Sequence, residues 1–163
     1  MLKELQLRNF KIWEDTGPIK MAPLTIFFGT NSSGKSSIEQ FLLMLKQTVD
    51  SSDRKMVIYP GDVNTPVNLG SFEELVFCRN PQNTLDFSVE WELSEPLTIT
   101  NPRSSFVATG DRMRFGAKVG MTGERHRILG VSEFEYQLKQ SDTLEMSVRL
   151  ERKAGTRIEY KLE

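Results

Sequence analysis

The chain divides by the period of its apolar positions. Leu2, Leu5, Leu7 and Phe10 are interleaved with Lys3, Glu4, Gln6 and Arg8, which is the alternation of a half-buried strand with some irregularity at its start. Asp15-Thr16-Gly17-Pro18 reads as a turn, and Ile19-Lys20-Met21 as a short second strand before Pro23. Leu24-Thr25-Ile26-Phe27-Phe28 is a short apolar run that suits a strand buried on both faces. After a glycine-rich loop the period changes. Ile38, Phe41, Leu42, Leu45 and Val49 recur at helical spacing, and Leu43 and Met44 widen the apolar face. A mostly buried helix is therefore predicted from near Gly34 to about Asp50. Residues 50–70 carry Pro60, Gly61, Asn64, Pro66, Asn68 and Gly70, and read mostly as loop with a short strand at Met56–Tyr59. Ser71 and Glu74 have the spacing of a capping box.

The second half has the period of two. Leu85, Phe87, Val89, Trp91 and Leu93 alternate with polar residues, the strongest strand signal in the chain. Further strands are predicted at Arg112–Val119, Arg127–Leu138, Thr143–Glu151 and Arg157–Leu162, separated by turns with Gly or Ser. These strands suit an antiparallel sheet.

Composition adds boundaries. With 163 residues the chain is one compact domain or one lobe of a larger one. Hydrophobic residues at 38% and charged residues at 26% suit a protein that buries a core. A formal net charge of −1 supplies no global basic field for nucleic acid. The N-terminus has no long apolar run, so neither a signal peptide nor a membrane anchor is expected. Cys78, the single cysteine, excludes an internal disulfide, suits a cytoplasmic setting, and reads as a small core residue after Leu75-Val76-Phe77. His126, the single histidine, has no partners for a metal cluster and reads as a solvated loop residue.

One segment carries chemistry. Gly29-Thr30-Asn31-Ser32-Ser33-Gly34-Lys35-Ser36 matches G-x-x-x-x-G-K-S/T at every fixed position, between an apolar run and an amphipathic helix. The glycines permit close approach of the backbone, whose N–H groups form a nest for phosphate oxygens. The helix directs its positive end at the same anion. Lys35 adds a cation between the outer phosphates, and the Ser36 hydroxyl is a candidate ligand for Mg²⁺. Gly29 to Ser37 are thus the candidate nucleotide-binding residues, with ATP and Mg²⁺ as the expected ligands. No Asn-Lys-x-Asp is present for guanine, and no Leu-Ser-Gly-Gly signature. The nearest approach to a Walker B strand, Met56–Asp62, is interrupted by Pro60-Gly61.

Leu7-Arg8-Asn9-Phe10-Lys11 followed by Gly-x-Asn-x-Ser-Gly-Lys-Ser-Ser resembles the N-terminus of ABC-type ATPases of the SMC, DNA-repair and OLD groups. Gly29–Ile38 with Leu45-Lys46-Gln47-Thr48, and Val67-Asn68-Leu69-Gly70-Ser71-Phe72, are similar to bacterial stand-alone AAA/ABC-type ATPases of the anti-phage or uncharacterised type. The resemblance implies an α/β fold: a P-loop strand–loop–helix lobe with a mixed sheet, plus an antiparallel β-rich subdomain. Residues 1–163 would be one N-terminal lobe of an ATPase head, with a P-loop core over 1–50, a loop and short helix over 51–80, and the β-subdomain over 81–163. It also implies that Lys11 reaches back towards the nucleotide, that signature and Walker B motifs follow later, and that the full ATPase is a homodimer. The expectation is nucleotide binding with little or no hydrolysis by this chain alone. The competing reading is a non-catalytic module, stabilised by nucleotide, that docks a protein or DNA. A P-loop transferase is less favoured, because no acceptor-site or lid motif is visible. Arg112, Arg114, Lys118, Arg125 and Arg127 form a basic stretch that could face DNA phosphates, but the polar face of a sheet explains it as well. Glu73-Glu74 and Glu133-x-Glu135 are assigned no catalytic role; the first suits a helix start and the second one face of a strand.

Overall fold

The computed structural model describes residues 1–53, 56–122, 128–152 and 159–162. The order of elements is β1 (Leu2–Phe10), β2 (Trp13–Asp15), β3 (Ile19–Lys20), α1 (Lys35–Asp50), α2 (Phe72–Leu75), a 3₁₀ turn (Phe77–Arg79), β4 (Leu85–Thr100), β5 (Val107–Thr122), β6 (Ile128–Gln140), β7 (Thr143–Glu151) and β8 (Glu159–Leu162). Among the described residues the strands form one eight-stranded sheet, ordered β2-β1-β4-β5-β6-β7-β8, with β3 also on β1. Every described pairing is antiparallel. The antiparallel second half is as expected, whereas the mixed sheet is not found: β1, β2 and β3 extend the same antiparallel sheet. The irregular alternation at the start of β1 has a local cause, a register shift between Leu2 and Glu4 where β1 meets β4.

Period two sorts the strands into two faces. Leu5 and Leu7 of β1, Leu85 and Phe87 of β4, and Ala117 and Val119 of β5 share one face and are buried in one cluster with Ile38, Phe41 and Met44 of α1. Phe41 sits edge-on to Phe10 (5.3 Å between ring centroids) and to Phe87 (5.1 Å), and the aromatic contacts continue through Phe115 to Phe134 and Tyr136. The opposite face carries Gln6, Arg8, Asp86, Ser88, Lys118 and Glu133. The sheet curls into a half-barrel with a hollow of about 270 Å³ on this polar side.

Four expectations fail locally. Residues 24–28 form no strand, and Leu24, Ile26 and Phe28 are 77%, 61% and 87% exposed. A run apolar in both directions needs strands beside it and layers above and below, and residues 24–28 pair with none of the described strands. Met56–Tyr59 is not a strand either; Tyr59 is held by α1, its N–H donating to Thr48 Oγ1 and its carbonyl accepting from Gln47 Nε2. On α1 the buried set is Ser37, Ile38, Phe41, Met44 and Gln47, while Val49 is exposed. Gln47 takes an interior place because its amide satisfies the carbonyls of Tyr59 and Val67, which anchors the loop over residues 58–67. Cys78 is exposed, not a core residue, because the 3₁₀ turn holds it at φ +55° and turns it outward after buried Val76. Ser71 precedes α2 as expected and forms the capping box with Glu74, the Ser71 N–H donating to Glu74 Oε2 at 2.8 Å. Among the described residues no helix is long and apolar enough to cross a membrane.

Phe41 is fully buried between two aromatic rings. Phe41→Ala should therefore lower the free energy of unfolding by about 3–5 kcal/mol. Val49→Ala, on the exposed side of the same helix, should change it by less than about 0.5 kcal/mol. Urea unfolding of the two variants measures the contrast.

Candidate functional site

The glycine-rich loop leads into α1 as the motif requires. Gly34 is the residue before the helix and adopts φ +88°, a left-handed angle that suits glycine. A Cβ there would stand 2.6 Å from Ile12 Cδ1 and 2.7 Å from Trp13 Nε1. The tightness has a purpose: the Trp13 indole N–H donates to the Gly34 carbonyl at 3.3 Å, pinning the loop to β2. Ile12 and Ser32 to Ser37 line a hollow of about 200 Å³ at the start of the helix. Ile12 and Trp13 were not identified from the sequence. Their signal, two apolar residues interrupting a polar turn after Phe10, is shared by many hairpins.

Among the described residues this helix end carries amides without acceptors and no opposing acid. α1 has no side-chain cap and no acidic residue in its first turn. The Ser37 N–H donates to the Gly34 carbonyl, but the N–H groups of Gly34, Lys35 and Ser36 have no acceptor within the described chain. Lys35 uses its ammonium to gather the loop, donating to the carbonyls of Gly29 (2.9 Å) and Thr30 (2.6 Å) and to Ser33 Oγ (3.3 Å). A cation at a helix N-terminus is unfavourable by itself. Here it is tied to three oxygens, in a loop where Ser32 also takes φ +62°. The Ser36 hydroxyl is exposed and forms no hydrogen bond among the described residues, so its oxygen is available to a hard cation. Gly29, Thr30 and Asn31 lie on the exposed side of the loop.

Other candidates fall elsewhere. Lys11 adopts φ +50° and its N–H donates to the Leu75 carbonyl at 2.6 Å, beside α2. Partial burial pushes its ammonium pKa down, opposed by the charge of Glu74. Lys11 is not among the residues lining the hollow at Lys35. Asp62, the acid of the interrupted Walker B-like segment, accepts from Tyr59 Oη at 2.6 Å and from the Asn64 N–H at 2.7 Å, so it closes a local turn. Of the basic stretch, Arg112 pairs with Asp142 and Lys118 with Glu133, each at 2.9 Å, and Arg114 donates to Ser88 Oγ at 2.8 Å. Arg125, His126 and Arg127 lie outside the described residues. Glu133 and Glu135 share the polar face, as their spacing of two predicts. Among the described residues no cluster of His, Cys, Asp and Glu could hold a metal.

The hairpin that carries Trp13 ends on a bonded carboxylate. Asp15 accepts from Gln6 Nε2 (3.0 Å), Arg8 Nε (2.8 Å) and the Gly17 N–H (2.7 Å). These bonds, led by the one from Gln6, lower its pKa from 3.8 to about 2. A depressed pKa contributes stability that is complete above pH 3.8 and is lost as pH falls towards 2. Asp15→Asn should flatten the pH dependence of unfolding in that window while leaving its slope at neutral pH unchanged. Gly34→Ala should lower stability by about 1–3 kcal/mol through the left-handed angle alone. Thermal unfolding at a series of pH values measures both.

No curated relative matches the chain. The family model for the AAA ATPase domain matches residues 1–151, which take in β1 to β7, the loop and α1. With a match of this extent the chain belongs to the AAA ATPase domain family.

Proposed function

We propose that the chain is the ATP- and Mg²⁺-binding N-terminal lobe of an ABC-type ATPase head of the SMC/OLD-like kind, catalytically incomplete by itself. The observation that carries this reading is the start of α1: three amides without acceptors, no acidic side chain in the first turn, and Lys35 drawn over the loop. Gly29 to Ser37 would wrap the triphosphate. The N–H groups of Gly34, Lys35 and Ser36 would take oxygens, and Lys35 would exchange loop carbonyls for phosphate oxygens. Ser36 would hold Mg²⁺ by its hydroxyl; the bound ion supplies neutralisation of charge between the outer phosphates. Lys11 would act on the nucleotide only by moving from its place beside Glu74.

Incompleteness rests on two features. Hydrolysis needs a residue that positions water, and Asp62 is engaged with Tyr59 and Asn64. The run Leu24–Phe28, which the α/β P-loop lobe would use as a strand, has no strand partner among the described residues. In this reading a further segment supplies both the missing sheet edge and the missing acid.

Calorimetry with ATP, GTP and ADP, with and without Mg²⁺, tests the proposal. ATP should bind, and Lys35→Ala should weaken it roughly ten- to hundred-fold, the loss of hydrogen bonds to a charged group. Multiple-turnover hydrolysis should stay at background. A rate well above background that Lys35→Ala abolishes would refute the claim of incompleteness; absence of binding to any nucleotide would refute the site.

A further inference from the structure

The polar side of the half-barrel holds a second site. Strand pairing sets its layout: Arg8 pairs with Asp86, Asp86 with Lys118, and Lys118 with Glu133, a row of alternating charge across four strands. Within this row Lys118 bonds Glu133 at 2.9 Å, and Arg149, from the neighbouring row, bonds the same carboxylate at 2.7 Å. The next row is Gln6, Ser88, Gly116, Glu135 and Arg149. Gly116 thus lies mid-strand between larger neighbours and forms the floor of the hollow of about 270 Å³.

Nothing in the fold demands glycine there. Its φ is not in the left-handed region, and a Cβ would meet only the Phe87 carbonyl at 3.6 Å and Ser88 Cβ at 3.7 Å, ordinary contacts. A glycine inside a strand weakens it, and such residues often mark close approach by a ligand. The walls point the same way. Arg114 donates to the Ser88 hydroxyl but has no carboxylate partner, and Glu135 has no partner at all among the described residues. Both are half-buried. Asp86 makes one ion pair, a long one to Arg8 at 3.9 Å; burial pushes its pKa up against the charges of Lys118 and Arg8. Half-buried charges without partners are unfavourable in a fold that gains nothing from them.

We propose that this hollow binds a small zwitterion of the amino-acid class, its carboxylate on Arg114 and its ammonium on Glu135, over the floor at Gly116. Arg114 and Gly116 are two residues apart on one face, about 7 Å along β5. Glu135 is directly opposite Gly116 on β6. The two charges therefore face the floor from different sides, a spacing suited to a ligand with separated ends. A guanidinium is the preferred partner of a carboxylate. The volume lies just below the roughly 300–1,000 Å³ of pockets for larger organic ligands. The site is independent of the loop at Lys35.

NMR titration of the full chain with free L-lysine, L-glutamate or glycylglycine tests this. At least one should give saturable shifts at the amides of Ser88, Gly116 and Glu135; acetate or methylammonium alone should bind at least tenfold more weakly. Gly116→Val should fold with unchanged or raised thermal stability, because valine suits a strand, and should lose the response. Should that variant fail to fold, Glu135→Gln decides, since it breaks no bond in the fold and should weaken binding at least tenfold. Lys35→Ala should leave the titration unchanged, which separates this site from nucleotide binding. Absence of a saturable shift with all three probes would overturn the proposal. So would a response that survives in Gly116→Val, or in Glu135→Gln.

Discussion

The docking of Phe41 between Phe10 and Phe87 is the contact on which the remaining structure depends. It is the point where α1, the longer of the two described α-helices, meets the sheet, and it fixes how the helix start is presented. Because α1 begins at Lys35, six residues before Phe41, the same packing that buries the ring sets the position of the loop. The sheet contributes from its own end. β2 folds back on β1 through Phe10 and Trp13, so that the indole reaches the Gly34 carbonyl. Core and candidate site are therefore two ends of one lever, and the hydrophobic term that drives folding also orders the polar loop.

The two faces of the sheet serve different purposes. One is apolar and packs the helix. The other is charged, concave and partly closed, the reverse of small barrels whose interiors are filled by side chains. Cross-strand pairs of opposite charge hold that concavity open. Lys139 and Glu90 meet at 2.7 Å with both side chains less than a fifth exposed, and Glu133 is gripped by two cations. A sheet that excluded water from both faces would need apolar residues on each, and alternation forbids that.

Much of this was legible because it is local. Alternation located β1 and β4 to β7, and the glycine-lysine motif located the loop and the start of α1, since each rests on side-chain direction or backbone freedom within a few residues. What was not legible depends on distant neighbours. Leu24–Phe28 reads as buried from its composition, yet burial requires partners that composition does not name. Gln47 took the interior place expected of Val49 because the loop over residues 58–67 brings carbonyls that only an amide can satisfy. Trp13 matters only because β2 returns to Gly34. The charged residues of β4 to β6 showed alternation but not the curl that turns a polar face into a hollow.

The bare run at Leu24–Phe28 bears on how the molecule behaves in concentrated solution. Five residues with aromatic and β-branched character and no charge form a short sticky segment, able to pair with its own kind through exposed backbone. Pro23 on one side and Gly29 on the other interrupt any growing strand, as gatekeepers do. The stretch that leads the chain into its phosphate loop is thus also its chief risk of self-association, held in check by the residues that bound it.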